Sequence, residues 1–237
     1  MSEQQGRIKE CRAKKDELLT LAKKRQSSRW EGYYCIGDYH GGKYECDFVS
    51  PYSKGACNIE AQIMVLLQDW SSHEWLSGPL NLNVVELGHS SGLPTNKNLC
   101  RLLFDSFGIE LTATYSTNLF PFIKPGGMSS AIKHADLIRA AHEFAIPQIN
   151  IVAPRLVICL GLVTFNALRE AQGESRVSII AEAIANPFRI GVSKVWCQAH
   201  TGALGQNNRR KGNILQVTED WRRMKAEFDT AGQIQVP

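Results

Sequence analysis

Four short stretches hold side chains able to do chemistry, and each follows an apolar run. Ile63-Met64-Val65-Leu66-Leu67 runs into Gln68, Asp69 and Trp70; the alternating Ile109–Thr117 leads into Asn118; Leu156–Leu160 leads into Gly161; and Val192–Gln198 opens onto His200. A carboxylate paired with an imidazole suits cleavage of a glycosidic bond through an oxocarbenium-like transition state. An amide that both donates and accepts suits reading the edge of a base. Leu204, bracketed by Gly202 and Gly205, precedes the basic run Arg209-Arg210-Lys211. An apolar wedge beside cations suits a protein that enters a base stack and holds phosphates. Each residue also has a plainer reading: a turn-forming Asp, a hydrogen-bonding structural His, a Gly that a tight turn requires on steric grounds, a Leu from a satellite core.

Uninterrupted apolar runs fit strands covered on both faces, as in a parallel sheet. Strands at 63–68, 109–117, 156–160 and 192–198 alternate with helical spacing at 94–107, 129–150, 163–171 and 217–228. This order predicts an α/β fold, a three-layer α/β/α domain around a central, mostly parallel four-stranded sheet. Right-handed crossovers place all four strand ends on one edge, where ligands of open sheets bind. Asp69, Asn118, Gly161 and His200 should therefore line one cleft.

The 237 residues divide into an extension, 1–58, and the α/β domain, 59–237. The extension combines a basic helix with an irregular Gly- and Tyr-rich stretch expected to pack on the domain. The basic helix face is either a nucleic-acid surface or simply solvated. Net charge is only +4, which permits a polyanionic partner without requiring one. Seven cysteines, several in apolar runs, indicate reduced thiols and a cytoplasmic setting. The gaps between Cys35, His40, Cys46 and Cys57 are too long for zinc pairs, so no metal is expected. No secretory segment and no apolar run of membrane-spanning length is present. The tail, 229–237, is expected to be loose.

The motifs and their order resemble the uracil-DNA glycosylase superfamily. Its best-known branch carries Gly-Gln-Asp-Pro-Tyr-His where this chain has Leu67-Gln68-Asp69-Trp70-Ser71-Ser72, and His-Pro-Ser-Pro-Leu where it has His200-Thr201-Gly202-Ala203-Leu204. Thr117-Asn118-Leu119-Phe120-Pro121 resembles the strand that supplies the base-reading Asn, and Leu160-Gly161 opening a helix is also similar. The likeness spans residues 63 to 204. It departs at the Pro-Tyr of the first motif, whose Tyr keeps out thymine; at the Pro and Ser of the second; and at the aromatic that stacks on the base, which has no clear match. The cysteine spacing does not reproduce the four-Cys iron–sulfur pattern of some members.

The resemblance implies a monofunctional DNA glycosylase acting on a deaminated base in DNA repair. Asp69 and His200 are then catalytic; Gln68, Trp70 and Asn118 contact the base; Gly161, Leu204, Arg209, Arg210 and Lys211 contact DNA. No cofactor is implied, and a monomer with DNA as its partner is expected. The alternatives are a nucleic-acid-binding module that retains the fold without activity, and an N-glycosidase of free nucleosides or nucleotides.

Overall fold

The computed structural model describes residues 3–211 and 214–233. At its centre β1 (Ile63–Asp69) lies between β2 (Tyr115–Phe120) and β3 (Leu156–Leu160), both parallel to it. β3 continues to the parallel β5 (Ser193–Gln198), and β4 (Phe188–Ile190) closes that edge antiparallel, giving the order β2-β1-β3-β5-β4. The fold is α/β with a five-stranded, mostly parallel sheet, one strand more than expected. Only three residues long, β4 is too short for a periodic pattern. It forms by turning back through Gly191, whose φ of +54° suits glycine.

Because successive strand residues face opposite ways, the apolar runs feed two cores. Met64, Leu66, Val157, Cys159 and Val195 pack with Phe144, Phe165 and Ile184 on one side. Val65, Leu67, Ile158, Leu160 and Trp196 pack with Leu99, Leu103 and Trp221 on the other. The first side is covered by α1 (Glu3–Ser27), α5 (His134–Ala140), α6 (Ile146–Val152), α7 (Leu162–Ala171) and α8 (Ile180–Ala185); the second by α4 (Pro94–Phe107) and α10 (Val217–Gln233). Among the described residues no helix is long and apolar enough to cross a membrane.

Two expected elements shift. The second strand starts at Tyr115, because Thr114 Oγ1 donates to Leu111 O at 2.6 Å and closes a turn over Leu111–Ala113. The helix expected at 129–150 begins only at His134 and widens to a π turn over Ala141–Ala145, where Ile146 N–H reaches back to Ala141 O. Pro147, which lacks an N–H, then sits in the first turn of α6. Two short helices, α2 (His73–Leu76) and α3 (Leu82–Leu87), occupy the stretch after β1, and α9 (Ala203–Asn207) carries Leu204. Past α9, Arg210–Lys211 and Ile214–Leu215 pair as a short antiparallel ladder. The part of the tail up to Gln233 belongs to α10 rather than being loose; residues 234–237 lie outside the described residues.

The extension is part of the same packed body. Trp30 lies against Phe120, Phe122 and Phe144, and Ser116 N–H donates to Ala56 O at 2.8 Å along the open edge of β2. Ile36, Tyr39 and Tyr44 form a third apolar cluster with Leu76, Val84 and Ile123. Arg25, 1% exposed, joins α1 to this extension through Glu45 and the carbonyls of Cys46 and Phe48. Replacing it with Met should therefore cost on the order of 3 kcal/mol, the low end for breaking a buried pair, since Glu45 keeps some solvent. A urea unfolding curve followed by tryptophan fluorescence measures this, and an unmoved midpoint would show that Arg25 is not the anchor.

Candidate active site

Parallel strands deliver the chemistry to one edge. Asp69 ends β1, while Asn118 lies two residues short of the end of β2, level with Leu67. Gly161 follows β3, with its N–H donated at 2.8 Å to the carbonyl of Gln198, the last residue of β5. Gly161 holds φ +101°, open to glycine, and faces Cβ of His200. Among the described residues, seven of the nine buried polar side-chain atoms without a protein partner sit within three residues of a strand's carboxyl end: Ser71 Oγ, Ser72 Oγ, Thr117 Oγ1, Asn118 Nδ2, Trp196 Nε1, Gln198 Oε1 and Thr201 Oγ1. Buried polar atoms without a protein partner call for a bond from water or a ligand, so their concentration at one edge marks it as a place to look for a site.

Asp69 is gripped at both oxygens. Gln68 Nε2 donates to Oδ1 at 2.9 Å, and Lys124 Nζ lies 2.8 Å from Oδ2. Lys124 is itself 2% exposed and donates to Met128 O at 2.6 Å. The sequence reading missed this lysine. Its signal was a lone cation in the apolar Pro121-Phe122-Ile123 run, immediately before Pro125 and two glycines.

On the other side, the His200 ring is set by its own loop. Gly202 N–H donates to Nδ1 at 3.0 Å, so the neutral imidazole carries its proton on Nε2, pointing a donor away from the backbone. Burial lowers the pKa of His200, while the nearby charge of Asp69 pulls it upward. The net direction favours neutral imidazole, although the residue as a whole remains exposed.

Beside this edge, lined by the residues that follow Asp69, lies a chamber of about 320 Å³. Its apolar walls are Trp70, Trp75, Leu93 and Met128; Ser71, His89 and Asn96 supply polar atoms. Trp70 is pinned by donation from Nε1 to Gly88 O at 2.7 Å. Asn96 accepts from Tyr52 Oη and donates to Ser90 O. Met128 connects the chamber to Lys124 and Asp69. Thr95, which also lines it, would lie 3.1 Å from a Cβ at Gly202, beside His200.

The remaining expected residues divide. Leu204 is 79% exposed next to His200, as a wedge requires. Asn118 is completely enclosed rather than lining the cleft; Ser50 Oγ donates to its Oδ1 at 2.6 Å, and Nδ2 has no partner. Arg209 is engaged in a two-pronged pair with Asp220, at 2.6 and 2.9 Å, which braces its loop on α10. The side chains of Arg210 and Lys211 lie outside the described residues. Cys35 donates to Ser28 O and Cys46 to Phe48 O, His40 bonds Leu76 O, and Cys57 is exposed. Among the described residues no three potential metal ligands gather. Comparison with family models found no match, and neither did comparison with curated proteins.

His89 offers a stability test of the chamber wall. Burial lowers its pKa, with the Leu87 carbonyl opposing. The unfolded chain then binds a proton near the ordinary imidazole value of about 6.5 that the folded chain refuses. Stability is thus full above that value and falls as pH drops, with His200 adding the same sign. His89→Asn should flatten part of the fall in urea midpoint between about pH 7 and pH 5; an unchanged slope would mean that His89 titrates as in the unfolded chain.

Proposed function

We propose that this chain is a monofunctional DNA glycosylase that hydrolyses the N-glycosidic bond of a deaminated base, acting as a monomer in the cytoplasm. One observation carries the reading: a carboxylate held at both oxygens and an imidazole with its donor free share the carboxyl edge of a parallel sheet with a tryptophan-walled chamber built from the residues that follow the carboxylate. The extruded base would enter the chamber, with Trp70 and Trp75 covering its faces. As the C–N bond breaks, its electron pair moves onto the base. His200 Nε2–H then donates to the base oxygen that gathers this charge. Asp69 stabilises the cationic sugar and orients the water that adds to its anomeric carbon.

Leu204, exposed beside His200, fits the gap that an extruded base leaves. The N-terminus of α7, behind Gly161, offers backbone N–H groups to a phosphate. Uracil, hypoxanthine and xanthine all remain admissible substrates, because Trp70 and Ser71 replace the residues that restrict the pyrimidine in the first motif. The enclosure of Asn118 favours a second reading, a nucleic-acid-binding module without turnover, since an amide bonded to Ser50 reads no base in this conformation.

Asp69→Asn keeps an oxygen for Lys124 and should fold, yet it should remove abasic product from uracil- or hypoxanthine-containing oligonucleotides, scored by alkaline cleavage. Full activity in that variant would end the assignment of Asp69, and tight binding with no product from the wild type would establish the module. Leu204→Ala should lower turnover of duplex DNA by roughly tenfold, the equivalent of about 1.4 kcal/mol. Equal turnover of duplex by both forms, together with cleavage of free nucleosides, would point to the monomer N-glycosidase instead.

A further inference from the structure

Lys124 is delivered to Asp69 by backbone pairing rather than by chance contact. Beyond β2 the chain remains alongside the loop after β1: Ser72 and Lys124 form a parallel bridge, His73 N–H donates to Lys124 O at 2.9 Å and Glu74 N–H to Gly126 O at 3.0 Å. On its other side, Ile123 pairs antiparallel with Tyr34 of the extension. The lysine backbone is therefore fixed on two sides, and its side chain is buried. Two of its three N–H donors are spent, on Asp69 Oδ2 and Met128 O. Desolvating an ammonium costs several kcal/mol, and apolar side chains in place of a whole buried ion pair often give a protein at least as stable. A buried lysine against the one carboxylate at the end of the central strand thus has little to offer packing and much to offer the geometry of that carboxylate.

We propose that Lys124 is a positioning residue of the site, fixing the Asp69 carboxylate for glycosidic chemistry through Oδ2 while Gln68 holds Oδ1. This rests on the glycosylase reading. The ammonium makes its bond to Asp69 and not to the substrate, so its effect passes through that carboxylate. Removing it should disorient Asp69 and free the Met128 carbonyl, while the tryptophan walls of the chamber and the wedge stay as they are. The loss should therefore fall on the chemical step rather than on binding.

The test is single-turnover cleavage of the oligonucleotide on which the wild type is active, with binding measured in parallel. Lys124→Met should lower the single-turnover rate roughly a hundredfold and leave the Kd for the oligonucleotide within about twofold. Lys124→Arg, which can still pair with the carboxylate, should recover most of the rate. In an Asp69→Asn background, adding Lys124→Met should change the residual rate by no more than about twofold. If Lys124→Met leaves Asp69 buried without a partner and does not fold, Lys124→Gln and the doubly neutral variant take its place. A wild-type rate in folded Lys124→Met or Lys124→Gln would overturn the proposal while leaving the glycosylase reading intact. A further large loss in the Asp69→Asn background would also overturn it, because the lysine would then act on the substrate itself. A wild type inactive on every oligonucleotide would remove both readings together.

Discussion

The structure depends on β1 having a parallel neighbour on each side. Its hydrogen bonds to β2 and β3 close both edges and helices cover both faces, so its five apolar residues are buried and its register is fixed from both directions. A strand so constrained has only its end free to vary. There the burial pattern relaxes from buried to half-buried at Gln68 and Asp69. Every group of the candidate site is referenced to that end: Lys124 through the bridge with Ser72, the chamber through Trp70 and Ser71, and His200 through β5, whose register is inherited by way of β3.

A rigid sheet alone would not hold a charge in place. The Asp69–Lys124 pair removes two ions from water, and the cost is offset only by good geometry and by bonds to the remaining lone pairs and protons. Gln68 and the Met128 carbonyl supply those bonds. The extension contributes by covering the open edge of β2 and by pairing Tyr34 with Ile123, which holds the lysine-bearing segment from outside. This gives residues 30–58 a physical role that their Gly- and Tyr-rich composition does not announce. A stretch without periodicity can still serve as a clamp when its backbone groups, rather than its side chains, make the contacts.

What was legible in the sequence follows the same logic. Strands of five or more apolar residues were readable because burial on both faces leaves an unbroken run, and their shared edge followed from crossover handedness. Asp69, Gly161, His200 and Leu204 could be placed for that reason. Elements that rest on one or two specific bonds were not readable. β4 depends on the Gly191 turn, the start of β2 on the Thr114 hydroxyl, and the π turn on accommodating Pro147. Lys124 and Arg209 were misjudged in opposite directions for one reason. A cation's partner lies far away in sequence, so a lone lysine in an apolar run drew no notice although Asp69 awaits it, and an arginine in a basic run seemed free although Asp220 holds it.

Where the resemblance to the glycosylase motif departs, at Trp70 and Ser71, the chamber shows what the residues present do instead. A Tyr in place of Ser71 would put a phenol where Ser71, Asn96 and His89 now contribute small or already engaged polar groups. Trp70, with its indole N–H committed to Gly88, presents a fixed apolar wall in place of a proline ring. The two changes act together, the wall becoming larger and flatter while the polar lining becomes smaller. For the proposed substrate, such a chamber would discriminate chiefly by the shape and stacking of a flat ring, because apolar walls separate substrates weakly and only unpaired polar atoms do so strongly. Ser71 Oγ is the one buried polar atom of the lining with no protein partner among the described residues. On the proposed glycosylase reading, base selection would draw on that hydroxyl, and the lysine-held carboxylate two residues before it would be left to act on the sugar.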